Sequence, residues 1–280
     1  MAARLFALLA WVAVACAPAA AQVFPQFPYD VPFVPSPQVT VDEMLRLAGV
    51  SEKDFVIDLG SGDGRMVITA ATKFGARGMG VDLDHDLVMQ SEESAREAGV
   101  SDRVSFLEQD LFKTDLSRAT VITMYLLPSV NMKLRPRLLE LKPGTRIVAH
   151  DFDLGDWQPD RKTTVRKNTF LWIVPAKIAG HWRMRVELPP IERLLELELA
   201  QRFQEVTAKA RLNGVPAQVW ELSLEGDRLR FVVVDTTDRE HEASLYFSGR
   251  VSGDVMEGDV TRGVGATRST IRWRAARTGP

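Results

Sequence analysis

The stretch Phe55–Asp84, FVIDLGSGDGRMVITAATKFGARGMGVDLD, constrains this chain more than any other. A short apolar run, Phe55-Val56-Ile57, ends in Asp58, and a glycine-rich turn follows through Gly60-Ser61-Gly62-Asp63-Gly64. A helical segment covers Met66–Phe74, and a second apolar run ends in Asp82. Strand, glycine turn, helix and strand in this order make a βαβ unit of a nucleotide-binding sheet. Glycine lets the backbone turn sharply and lets a ligand approach the main chain. The helix behind the turn offers its unpaired N–H groups to that ligand. An acid about twenty residues on, at the end of the second strand, accepts bonds from ribose hydroxyls.

The spacing narrows the ligand. The glycines run GxGxG, whereas a dinucleotide fingerprint runs GxGxxG, and Asp58 stands two residues before the first glycine. A carboxylate there does not suit a pyrophosphate. It suits a ligand with an ammonium group, such as S-adenosylmethionine, which joins an amino acid, a sulfonium and an adenosine. A third acid fits the same ligand. Val104–Leu107 reads as a third strand that runs into Glu108-Gln109-Asp110, where a carboxylate can accept from the adenine amino group. The expected cofactor-binding residues are Asp58, Gly60, Ser61, Gly62, Gly64, Asp82, Leu83, Asp110, Leu111 and Tyr125. A nicotinamide oxidoreductase could use the same unit, but the spacing and Asp58 count against it. An exported binding protein with a catalytically silent Rossmann-like domain is the remaining alternative.

With those residues in place, the chain resembles the class I S-adenosylmethionine-dependent methyltransferases. More narrowly, it is similar to the family of mitochondrial lysine methyltransferases of the ATP synthase c-subunit and the adenine nucleotide translocase, with their bacterial relatives. The resemblance is carried by Val31-Pro32-Phe33-Val34-Pro35-Ser36-Pro37, Asp58–Arg65, Asp110-Leu111-Phe112, Tyr125-Leu126-Leu127-Pro128-Ser129 and Trp157-Gln158-Pro159. It implies methyl transfer to a nitrogen, with a protein lysine or another protein or small-molecule amine as acceptor, a membrane protein among the candidates. Methyl transfer from a sulfonium needs mainly alignment of nucleophile and methyl group, and the amine must be neutral. Tyr125 is the candidate catalytic residue, and Leu126, Leu127 and Pro128 are the candidate substrate-binding residues, with the carbonyls of Leu126 and Leu127 lining the spot. His150 and Asp151, after the fifth strand, act on the substrate or serve as buried or capping residues.

Composition bounds the rest. A chain of 280 residues has room for two modest domains. Its formal net charge of −2 and the lack of a long basic run leave nucleic acid out of the expected partners. Cys16 is the only cysteine and the four histidines are scattered, so neither a disulfide nor a metal site is expected. Residues 1–21 read as a signal peptide. Arg4 gives the positive start, Leu5–Ala15 the short apolar run, and Ala19-Ala20-Ala21 a cleavage site near Ala21. A periplasmic or secreted protein follows, or, if the leader is retained, a membrane-anchored one. Either location is in tension with a cofactor made in the cytosol.

The expected architecture is α/β. A proline-rich extended segment over 22–38 leads into a doubly wound Rossmann-like methyltransferase domain over 39–178, followed by a smaller antiparallel β-rich domain over 179–280. Helices are predicted at 39–48, 64–74, 85–98 and 130–141, and strands at 55–58, 78–82, 104–107, 120–125, 146–151 and 169–174. After residue 178 the pattern turns to period two, with strands at 228–234, 243–247 and 270–275 and turns at 225–227, 252–254 and 257–259. The stretch 194–210 fits either period and is assigned to strand. The tryptophans are expected in cores, and the basic run 161–167 in a solvated loop.

Overall fold

A computed structural model describes residues 33–164, 167–188, 191–235, 243–262 and 269–279. The expected signal peptide over 1–21 and residues 22–32 of the proline-rich segment lie outside the described residues.

The first half is a mixed, mostly parallel sheet covered by helices. Its strands are β1 (Phe55–Leu59), β2 (Arg77–Asp82), β3 (Val104–Glu108), β4 (Val121–Met124), β5 (Arg146–His150), β6 (Arg161–Thr163) and β7 (Thr169–Ile173). They lie in the order β3-β2-β1-β4-β5-β7-β6, with β1 to β5 parallel and β7 antiparallel to β5. The order reverses between β1 and β4, and in such sheets the ligand crevice opens at the strand ends beside that reversal. β4 is buried along its whole length and β1 at four of five positions, as a covered parallel sheet requires.

Four helices cover it, and each begins or ends for a local reason. In α1 (Gln38–Leu47) the carbonyl of Pro37 accepts the N–H groups of Thr40 and Val41, and Val41, Met44 and Leu45 face the core. α2 (Arg65–Phe74) starts directly after the glycine turn. α3 (His85–Glu97) is capped by the Asp84 side chain, which accepts from the amides of Asp86 and Leu87 at 2.9 and 3.3 Å. α4 (Pro128–Leu138) has proline in its first turn, where no N–H is missed. It begins two residues earlier and ends three earlier than the periodicity predicts. Pro136 in the last turn lacks the amide that would donate to the Met132 carbonyl, which weakens the helix at that end.

The second half is all antiparallel. It comprises β8 (Gly180–Leu188), β9 (Ile191–Arg202), β10 (Glu205–Leu212), β11 (Val215–Ala217), β12 (Val219–Glu225), β13 (Arg228–Asp235), β14 (Ala243–Ser252), β15 (Val255–Arg262) and β16 (Ser269–Gly279). The hydrogen-bonded order runs from β11 through β10, β9, β8, β16, β15, β14 and β13 to β12. The two end strands form one run broken only at Gln218, with β11 pairing to β10 and β12 to β13. The sheet therefore closes on itself as a barrel, which removes open edges. Its interior is filled. Phe231 stacks on Phe247 with centroids 4.5 Å apart, and Trp273 meets both edge-on at 6.2 and 5.7 Å. Contacts of this kind contribute about 0.5–1.5 kcal/mol each beyond burial.

Four expectations change. Glu257-Gly258-Asp259 lies inside β15, not in a turn. Gly258 faces Gly249 across the β14–β15 ladder, and a Cβ at Gly258 would overlap the Ser248 carbonyl, so this glycine serves close backbone approach. The assigned strand over 194–210 is two strands joined by a hairpin at Phe203-Gln204. Within the basic run, Arg161–Thr163 form edge strand β6 on β7, with the Lys162 ammonium over the Phe170 ring. Trp157, Trp172, Trp182 and Trp273 are buried as expected, but Trp220 stands 57% exposed beside a bulge in β12.

Candidate active site

The site is built from the C-terminal ends of β1, β2, β4 and β5. Gly60 and Ser61 donate their amides to the Val81 carbonyl at 2.9 and 3.0 Å, which ties the glycine turn to β2. The Gly62 amide donates to Asp82 Oδ2 at 2.8 Å, while Asp82 Oδ1 accepts from the Asp84 amide at 3.1 Å. Asp82, expected at the ribose, thus also braces the loop. Gly60, Gly62 and Gly64 all have φ between 53° and 76°, the left-handed region that disfavours any side chain.

Asp58 is buried and accepts from Thr123 Oγ1 at 2.6 Å. Burial pushes its carboxyl up to about 7, against the Thr123 bond, and the nearby Asp82 and Asp63 charges add to the rise. Folded Asp58 keeps its proton above the ordinary 3.8. The stability from this neutral group is therefore complete below that value and is lost as pH rises through about 7. A ligand ammonium needs the ionised form. We expect the affinity for S-adenosylhomocysteine to climb between about pH 5.5 and about pH 8 while the melting temperature of the free protein falls. In Asp58→Asn both slopes should flatten. A wild-type affinity constant over that range, measured by calorimetry, would sink the assignment.

Asp110 lies just beyond β3, and Gln109 next to it donates its amide to the Asp82 carbonyl at 2.8 Å. One Asp110 oxygen accepts from the Phe112 amide at 2.8 Å. The Leu111 carbonyl accepts from Arg137 at 3.1 Å, and Leu83 is exposed beside Asp82. Tyr125 follows β4, one strand over from Asp58. Its ring lies 4.0 Å from the His150 ring and 6.2 Å from that of Phe152.

Of the candidate substrate residues, the free carbonyl expected at Leu127 needs correction. Leu126 is buried beneath the glycine turn, where its Cδ2 would lie 2.9 Å from a Cβ at Gly60. The Leu127 carbonyl is not free, because it accepts the amides of Val130 and Asn131 at 2.9 and 3.0 Å and caps α4. Pro128 is the first residue of that helix. Leu127 keeps its side chain exposed at the rim.

Phe33, Ser36, Arg65 and Thr123 were given no role at the site from the sequence. The Phe33 ring occupies the space a Cβ at Gly62 would take. Ser36 Oγ lies 2.8 Å from Nδ1 of buried His150, and Arg65 donates to the Ser36 carbonyl at 2.9 Å. Residues 33–37 thus form a strap over the cofactor loop. The proline-spaced aromatic of that segment was the available signal. Thr123, an ordinary strand residue, left none. His150, considered above as a substrate or buried residue, is buried. Desolvation holds its pKa below the usual histidine range, with Asp151 opposing and Lys167 adding to the effect, so the ring is neutral at pH 7. Its Nε2 has no partner among the described residues. Among those residues no group of three metal-ligating side chains gathers, and no helix is long and apolar enough to cross a membrane.

A glycine cradle between a buried near-neutral acid and a strand-end acid, at the reversal point of a 3-2-1-4-5-7-6 sheet, defines a Rossmann-like methyltransferase that uses S-adenosylmethionine. The residues fit that cofactor. The Ser61 hydroxyl, in the glycine turn, is buried with no partner among the described residues, and Asp58, Asp82 and Asp110 line successive strand ends.

Comparison with known proteins narrows the class. The ANTKMT methyltransferase domain family matches residues 58–161. A protein-lysine N-methyltransferase of Saccharolobus islandicus is 44% identical over 131 residues, 46% of this chain and 81% of that relative. The lysine N-methyltransferase of the ATP synthase c-subunit from Mus musculus is 34% identical over 134 residues, 48% of this chain but only 53% of the mouse protein. A crystal structure described as an RNA methyltransferase from Salinibacter ruber, in complex with S-adenosyl-L-homocysteine, is 55% identical with a TM-score of 0.51. The match covers 52% of this chain and 96% of that one. The chain belongs to this family of S-adenosylmethionine-dependent methyltransferases.

Proposed function

We propose that the protein methylates the ε-amine of a lysine on a protein substrate. The carrying observation is the wall of Tyr125, His150 and Phe152 at the ends of β4 and β5, beside the cofactor cradle. S-adenosylmethionine supplies an electrophilic methyl group on a sulfonium. Aromatic faces attract an ammonium and hold the lysine stem. A neutral His150 adds no positive charge against it. Tyr125 orients the amine, which must shed a proton before its lone pair can attack. Relatives named for lysine methylation of the ATP synthase c-subunit and of the adenine nucleotide translocase support a protein acceptor. The Salinibacter relative carries an RNA name. In this chain Asp58, Asp82 and Asp110 stand at or just beyond the C-terminal ends of β1, β2 and β3, which disfavours a polyanion.

The test is incubation of the protein with methyl-labelled cofactor and an envelope lysate, followed by digestion and mass spectrometry. Label is expected on lysine nitrogen, with a loss of about tenfold or more in Tyr125→Ala. Label only on carboxyl, oxygen, nucleic acid or small molecules would overturn the lysine reading and leave methyl transfer standing.

A further inference from the structure

We infer that the β9–β10 hairpin of the barrel positions the acceptor side of the methyltransferase site, with Phe203 and Gln204 as the positioning residues. The acceptor side is taken from the function proposed above. The loop over 151–158 leaves β5 directly after His150, and its Phe152 stacks on Tyr125. It is held from two directions. From α4, Asn131 donates to the carbonyls of Phe152 and Asp153 at 3.4 and 3.2 Å, and Arg135 donates to the Leu154 carbonyl at 3.0 Å.

From the barrel, the hairpin grips the far end of the same loop. Phe203 stacks on Trp157 with centroids 5.8 Å apart and planes 19° off parallel. Gln204 uses both ends of its amide. Its Oε1 accepts from Trp157 Nε1 at 2.9 Å, and its Nε2 donates to the Gln158 carbonyl at 2.7 Å. Arg202 adds an ion pair to Asp156.

The hairpin departs from what a barrel alone needs. Arg202 pairs with Glu205, so Phe203 and Gln204 are the whole turn. Phe203 has φ 56°, a conformation that suits glycine and strains a bulky residue. A free turn has no use for phenylalanine there, and the ring's contact with Trp157 accounts for it. The family match ends at residue 161, so the hairpin lies outside it and acts on a loop inside it. The barrel thereby gains a hold on where the acceptor sits and leaves the cofactor loop alone.

The test uses the full-length protein with Phe203→Gly, which relieves the strained φ while removing the ring, together with Gln204→Ala and the conservative Phe203→Tyr. Three measurements are made: hydrogen exchange across 151–158, calorimetric binding of S-adenosylhomocysteine, and steady-state methyl transfer to poly-L-lysine. Phe203→Gly and Gln204→Ala are expected to exchange faster over that loop. Their kcat/KM for poly-L-lysine should fall about ten- to a hundredfold, with cofactor affinity unchanged and Phe203→Tyr restoring turnover. Wild-type exchange and turnover in Phe203→Gly would overturn the inference. So would a fall in cofactor affinity parallel to the fall in turnover, since that reports general loosening. A wild-type protein that methylates no poly-L-lysine counts against the lysine reading, and the exchange data then decide the hairpin's role alone.

Discussion

Gly62→Val should fold and fail to bind S-adenosylhomocysteine. Gly62 has φ 53°, where a β-branched residue is strained by on the order of 1–3 kcal/mol. Its Cβ would overlap the Phe33 ring, so the strap over residues 33–37 must lift. The Gly62 amide and carbonyl are also the points where Asp82 and Ser91 hold the loop, each at 2.8 Å. The turn lies at the C-terminal end of β1, outside the core cluster of Val56, Val121 and Val148, so the melting temperature should drop by about 2–12 °C. Cofactor affinity should fall on the order of 100-fold or more, because the cradle and its cover are displaced together. Phe33→Ala in the same background separates the two causes. Recovery of binding assigns the loss to the clash with the strap, and continued failure assigns it to the backbone. A Gly62→Val protein that titrates like wild type would show the turn to be structural only.

Asp82→Ala should weaken cofactor binding by about 1.5–3 kcal/mol, roughly ten- to 150-fold. The variant loses charge-assisted bonds to the ribose. It also loses the acceptor for the Gly62 and Asp84 amides, at 2.8 and 3.1 Å. Asp82→Asn keeps one acceptor oxygen and should fall between the two. Adenosine as competitor makes the reading specific. If Asp82→Ala weakens S-adenosylhomocysteine but leaves adenosine unchanged, the aspartate supports the loop and does not hold the ribose. Unchanged affinity for both would remove Asp82 from the site.

The parallel half of the fold was largely legible because its signals are local. Apolar runs of four to six residues, a glycine turn and capping residues such as Asp84 act within a few positions of themselves. The strand-end positions of Asp58, Asp82 and Asp110 were legible for the same reason, since strand ends can be counted along the chain. Leu127 shows the limit. Its carbonyl reads as free in a proline-containing turn, but the helix begins at Pro128 and takes that carbonyl for its own first amides. Gly258 misled in the opposite way. Flanked by Glu257 and Asp259 it has the composition of a turn, and only its partner Gly249 on the next strand shows why a glycine stands there.

The sequence alone determined the class of chemistry. GxGxG behind Asp58, with acids at 82 and 110, leaves few ligands that satisfy an ammonium, a ribose and an adenine at once. It also determined that a β-rich half follows the sheet, because period two persists whatever the strands pair with. The tertiary structure decided what the sequence could not express. The barrel closes only because Val215–Glu225 divides its pairing between β10 and β13, a matter of register between segments far apart in the chain. Phe33 covers Gly62, Ser36 reaches His150 across 114 positions, and Phe203 reaches Trp157 across 46. These contacts depend on the packing of whole elements, and side-chain packing at long range leaves no periodic trace in the sequence that produces it.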